Sequence, residues 1–145
     1  MHEASPIIFR ASLFLAGGFV VLLGLDIGLG GITTRGWLGS SDFLAVTDTH
    51  AYAVQDNHVK FLGGVWLGVG LALCAGAWNP TRFAQTLRLV FALIFFGGVM
   101  RLLSDNPEIA FAPDIIGSLV AELIGMPILY LWHRQVLRSG AAAAT

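Results

Sequence analysis

The chain has 145 residues, of which 56% are hydrophobic and only 12% charged, and its mean hydropathy is +0.76. An ordinary water-soluble domain carries about twice that charged fraction, so such a domain is excluded and lipid must solvate much of the surface. A formal net charge of −1 excludes a basic nucleic-acid footprint, and the single cysteine, Cys74, excludes an internal disulfide and a cysteine-rich metal site.

A helix crossing a hydrocarbon layer of about 30 Å needs about 20 mainly apolar residues. The first such stretch, about 7–29, opens with IIFRASLFLAGGFVVLLGL and has only Arg10 and Ser12 as polar members of that run. It reads as a retained helix and not a cleaved signal, because no small-x-small cleavage pattern follows its apolar core. The following link is long for a structureless loop. Its SSDFLAVTDTHAY segment is expected to form a short surface helix, capped by serine, with Phe43, Leu44 and Ala51 on the bundle or interface and Trp37 at the headgroups. The second span, 58–78, contains FLGGVWLGVGLALCAGAW with no charge, and Asp56-Asn57-His58 reads as its N-terminal cap cluster. Asn79-Pro80 ends that helix and Thr81 is placed to cap the next, at 84–104, where LVFALIFFGGVM runs uninterrupted between Arg88 and Arg101. A second Asn-Pro turn leads to the fourth span, 114–133, which carries Glu122 and Pro127 in its interior. Residues 139–145 read as a short disordered tail. The expected fold is therefore all-α: one antiparallel four-helix transmembrane bundle over residues 1–138, with a long external loop between the first two helices.

Charges flanking the spans orient the bundle. With both termini cytoplasmic, Arg10, Arg82, Arg88, Arg134 and Arg138 fall inside and Arg35, Lys60 and Arg101 outside, in agreement with the positive-inside rule. The chain is accordingly expected in the cell inner membrane.

Residues four apart share a helix face, so Gly64, Gly68, Ala72 and Gly76 form a small-residue stripe on the second helix. Gly117, Ala121 and Gly125 form another on the fourth, and Gly97 and Gly98 lie near the end of the third. Such stripes specify contact, within a chain or between chains. Lys60 is four residues before Gly64, Arg101 four after Gly97, and Glu122 is next to Ala121, so all three are expected to face protein. At 1.5 Å per residue Glu122 lies about 12 Å inside the helix end at Asp114, a depth the long cations can reach. A charge at the centre of a span costs about 2.5–3.5 kcal/mol, so Glu122 needs a partner, water or a proton. Pro127 cannot donate to the Leu123 carbonyl and is placed to kink the helix just beyond it. An external-facing polar pocket is one reading. The other is that Lys60 and Arg101 snorkel to headgroups and Glu122 is a structural carboxyl. His50 and His58 lack the acidic geometry of a metal site, so no metal or cofactor is expected.

DNHVKFLGGVWLGVGLAL, GGVMRLLSDNP and LVAELIGMPIL together resemble a bacterial family of small four-helix membrane proteins that carry a domain of unknown function. The resemblance covers the last three helices and is consistent in layout with the first. Asn57, Lys60, Phe61, Gly63 and Gly64 match its Asn-x-x-Arg-Phe-x-Gly-Gly-like motif, with lysine where arginine is usual. Arg101, Ser104 and Pro107 match a Gly-Arg-x-x-Ser-like element, and Glu122 matches a helix-four carboxylate. The resemblance implies an architecture and highlights Asn57, Lys60, Arg101, Ser104 and Glu122 as a polar pocket, but it implies no activity.

Three functions follow from these residues. The first is an accessory or structural subunit that packs through its small-residue faces, as a homo-oligomer or in a larger membrane complex. The second is a binding or transport-related protein for an anionic lipid or small acid, held at the polar pocket. The third is a membrane enzyme with Glu122 as acid or base, against which stands the absence of any recognisable catalytic motif.

Overall fold

The computed structural model describes residues 4–34, 45–103 and 106–142. The apolar run near the N-terminus forms helix α1, Ala4–Gly30, followed by a single 3-10 turn at Gly31–Thr33. Helix α2, Thr49–Trp78, begins nine residues before the expected start of the second span. The reason is Asp48, whose carboxylate Oδ1 accepts the backbone N–H groups of His50 at 2.9 Å and Ala51 at 3.0 Å and so caps the helix. Asp56, Asn57 and His58 therefore lie inside the helix and are not its cap. Ala51 is also part of α2, while Phe43 and Leu44 of the expected surface helix, and the expected headgroup anchor Trp37, lie outside the described residues.

Helix α3 spans Ala84–Leu102. The turn before it is capped by Asn79, whose Oδ1 accepts the Arg82 N–H at 2.9 Å, in place of the expected Thr81. A four-residue helix α4, Pro107–Ala110, punctuates the next connection. The fourth span then runs from Pro113 to Ala142 in three segments: α5, Pro113–Val120; a π-helical turn, Ala121–Gly125; and α6, Met126–Ala142. Residues 139–142 of the expected tail are thus helical. Pro127 accounts for the π turn. It has no N–H, and its ring crowds the carbonyl four residues back. The preceding turn widens, so that the Met126 N–H reaches the Ala121 carbonyl five residues away. Among the described residues, four helices are long and apolar enough to cross a membrane, over Pro6–Thr33, Thr49–Trp78, Ala84–Leu102 and Pro113–Gly140. Among the described residues there is no strand.

The chain divides into two compact units, Ser12–Ala75 and Met1–Ala11 with Gly76–Thr145. In the first unit α1 and α2 form a tightly interlocked hairpin. A Cβ built on Gly63 would strike the Gly28 backbone, and one on Gly24 would lie 2.7 Å from the Leu67 Cα. One on Gly70 would lie 2.8 Å from Val21 Cγ2, and one on Gly17 would lie 2.8 Å from Cys74 Sγ. The pairs 28 with 63, 24 with 67, 21 with 70 and 17 with 74 keep a single antiparallel register. Glycine lets each backbone sit in the groove of the other, which is how apolar helices gain dispersion contact in lipid.

In the second unit α3 buries Leu87, Val90, Phe91, Ile94 and Gly98 along one face and packs on the π turn and α6. Phe9, Ala77, Ala110 and Leu119 join this core. Large apolar side chains such as Leu89, Leu93, Phe96, Ile124, Ile128 and Leu131 are exposed, as side chains solvated by hydrocarbon should be.

Candidate functional site

Within the unit Ser12–Ala75, the polar residues gather where α1 ends. Asp56 and Lys60 are four apart on α2 and pair at 2.6 Å, Oδ2 to Nζ. The other carboxylate oxygen of Asp56 accepts the Ile32 N–H at 2.9 Å, so one side chain both neutralises Lys60 and ties the 3-10 turn to α2. Gly31 makes this possible. It holds φ at +69°, in the left-handed region, and a Cβ there would strike Asp56 Oδ1. Gly31→Ala is expected to lower stability by about 1–2 kcal/mol through the left-handed backbone alone. Equilibrium unfolding in mixed micelles checks this, and an unchanged midpoint would show that the turn tolerates a side chain. Asn57 is exposed on the same helix. One oxygen of Asp26, Oδ2, is buried with no hydrogen-bond partner among the described residues, and the Asp26 backbone carbonyl accepts a long bond from Thr34 Oγ1 at 3.4 Å.

Within the other unit, Arg101 and Glu122 meet. The Arg101 Nε donates to both carboxylate oxygens, at 2.9 Å to Oε2 and 3.2 Å to Oε1. The Glu122 side chain is only 8% exposed, whereas that of Arg101 is 40% exposed. A buried carboxylate thus holds a cation that opens outward. Local structure places both. Arg101 continues the buried α3 stripe of Ile94 and Gly98, and Glu122 lies in the π turn. A Cβ on Gly98 would lie 2.8 Å from Glu122 Cβ and 2.9 Å from Leu123 Cδ2, so glycine at 98 is what admits this carboxylate against α3. Ser104 lies outside the described residues.

Of the expected pocket, Arg101 and Glu122 are brought together, while Lys60 is paired with Asp56 inside its own unit. Of the glycine stripe, Gly76 would meet Leu87, but beyond the adjoining turns of the same helix no described residue lies within 4 Å of a Cβ built on Gly64, Gly68 or Gly117. At Gly125 the nearest is the Val120 carbonyl of the same span at 4.0 Å. The contact face of α2 inside the chain is the neighbouring one, through Gly63 and Gly70.

Two polar anchors at the far end of this unit are absent from the sequence-derived set. Arg10 donates from Nε to the Ala77 carbonyl at 2.8 Å and from Nη2 to the Trp78 carbonyl at 3.0 Å, satisfying carbonyls that the end of α2 leaves open. His133 is fully buried, stacked on Phe9 at 5.7 Å and edge-on to Phe91 at 6.3 Å, with Nε2 3.0 Å from the Pro80 carbonyl. A carbonyl only accepts, so Nε2 carries the proton. The remaining ring nitrogen, Nδ1, is buried without a hydrogen-bond partner among the described residues. An open helix end after an Asn-Pro stop was the available signal for Arg10. For His133 the signal was a polar residue at the end of the last apolar run.

Among the described residues no group of three or more histidine, cysteine or carboxylate side chains is placed to hold a metal ion. Among the described residues, four helices long and apolar enough to cross a membrane define a multi-pass, all-α membrane protein. The chain belongs to the family described as Domain of unknown function (DUF4345), whose profile matches residues 8–133. No curated protein and no solved structure matches it.

Proposed function

We propose that this protein is an accessory or structural subunit of the bacterial inner membrane, with both termini cytoplasmic and its four spans acting as one domain. It associates with a second copy or a larger complex through small-residue helix faces. The observation that supports this reading is the open face of α2: Gly64 and Gly68, one helical turn apart, meet no described residue within 4 Å, while the neighbouring Gly63 and Gly70 are fully engaged. Glycines that pack on nothing in their own chain are expensive for a helix, by about 0.5–1 kcal/mol each relative to alanine, and a close-approaching partner helix recovers that loss. The ion pairs support the same reading. Lys60 and Arg101 each already hold a carboxylate, which leaves less positive charge for an anionic ligand than the sequence implied, and Glu122 is engaged by Arg101.

Purification from native membranes in mild detergent, with mass measurement of the intact particle, tests the proposal. The expected particle contains more than one chain or a stoichiometric second protein, and a Gly64→Leu/Gly68→Leu variant is expected to release a folded monomer. A wild-type protein that is monomeric and partner-free in native-lipid nanodiscs would overturn it.

A further inference from the structure

The unit Met1–Ala11 with Gly76–Thr145 carries a second feature, whose cationic end lies away from Glu122. An open groove of about 310 Å³ runs between α3 and α6, walled by Phe91, Phe95, Phe96, Pro127 and Tyr130, with Arg88 among its lining residues. Arg88 also lines an adjoining concavity of about 300 Å³ with Arg134 and Arg138. The two are joined a second time by Tyr130, whose ring carries the Arg134 guanidinium 5.8 Å from its centroid. The groove is therefore apolar along its length and cationic at one end. Along α3, Arg88 and Phe96 are separated by about 12 Å of helix, and Arg88 and Arg101 by about 20 Å, which sets this locus apart from the Arg101–Glu122 pair.

The cations here differ from Lys60 and Arg101. Arg88, Arg134 and Arg138 are exposed, and among the described residues none of them has a carboxylate partner. No Asp or Glu occurs in 79–103 or in 123–145, so the sequence supplies no local counter-charge from these helices. Three exposed arginines without a carboxylate partner among the described residues, beside an aromatic-walled apolar groove, together describe an amphiphile with a negative head and an apolar tail. We infer that this groove binds one anionic phospholipid, its phosphate held among Arg88, Arg134 and Arg138 and one acyl chain laid between α3 and α6 against Phe95, Phe96 and Pro127. Two physical features form the seat. The π turn and Pro127 interrupt the regular ridge of the fourth span, and Ala92 keeps the facing surface of α3 low. Arginine is suited to the head because its planar fork donates two parallel hydrogen bonds to phosphate oxygens.

The test uses the full chain in nanodiscs of phosphatidylcholine containing a small fraction of phosphatidylglycerol, with native mass spectrometry counting retained lipids. The wild type is expected to retain one phosphatidylglycerol in preference to phosphatidylcholine. Each arginine changed to glutamine among Arg88, Arg134 and Arg138 is expected to weaken that preference about fivefold. Lys60→Gln, on the other unit, should leave it unchanged. Ala92→Leu, which fills the groove, should lower retention while the arginines remain, and a thermal midpoint within a few degrees of wild type shows that the variant is folded. Inorganic phosphate is added as a competitor. Full displacement of the lipid by millimolar phosphate would show a headgroup site without tail recognition and would overturn the proposal. So would equal retention of the two lipids by the wild type, or a preference unchanged in the triple arginine variant.

Discussion

Alanine at Gly63 is expected to destabilise the folded monomer by about 1–3 kcal/mol, whereas alanine at the adjacent Gly64 is expected to stabilise the monomer by less than about 1 kcal/mol. Both substitutions add one methyl group to the same helix and gain the same relief of glycine's backbone freedom. They differ only in where that methyl points. At 63 it strikes the backbone of Gly28, which cannot rotate out of the way, so α1 and α2 must separate along a register that Gly24, Val21 and Gly17 also share. At 64 no described residue lies within 4 Å. Reversible unfolding in mixed detergent micelles, read by circular dichroism, gives the two values directly. Equal effects at the two positions would show that the hairpin is not interlocked, and a loss at 64 in place of 63 would rotate α2 by one residue.

The contrast also shows how far the sequence could be read. Length and hydropathy were enough to locate four spans, because the need for about 20 apolar residues is imposed by the bilayer and not by the partner helix. The packed face was harder. Spacing of four with small residues selects Gly64, Gly68, Ala72 and Gly76, but the positions engaged with α1 are 63, 67, 70 and 74, spaced four, three and four, and they include Leu67 and Cys74. A filter for small side chains passes over such a face, since glycine on α1 opposite Leu67 and Cys74 serves as well as glycine on α2. The complement was present in α1, where Gly17, Gly24 and Gly28 repeat at seven and four.

Helix ends depart from the sequence expectation for a related reason. Asp56-Asn57-His58 stands immediately before an apolar run and has the composition of a cap, yet Asp48 holds that role and the helix continues outward through the Asp56–Lys60 pair. Composition marks where the hydrocarbon begins, and a helix need not stop there. Pro127 announced a missing N–H but not how the chain would adjust, because a kink and a widened turn relieve the same clash. In this chain the widened turn packs Glu122 and Leu123 against Gly98, a tertiary contact with no local signature. The polar pair itself was legible. A carboxylate near mid-span needs a partner, and Arg101 was one of the two cations near enough in depth.

Arg101→Met is accordingly expected to destabilise the protein by about 2–3 kcal/mol, and the combined Arg101→Met/Glu122→Leu variant to recover most of that loss. The single change leaves Glu122 buried with both oxygens stripped of the Arg101 Nε donor, and its side chain is too enclosed for solvent to replace that bond. Because Arg101 is 40% exposed, the expected loss lies at or below the lower end of the range for a fully enclosed pair. The double change removes both charges and lets leucine fill the seat beside Gly98. The cycle also tests what the pair is for. If it is a staple between α3 and the π turn, stability and association should fall together in the single variant and return together in the double. Should the double variant regain its stability yet fail to assemble, the outward-opening guanidinium of Arg101 has a second role in association.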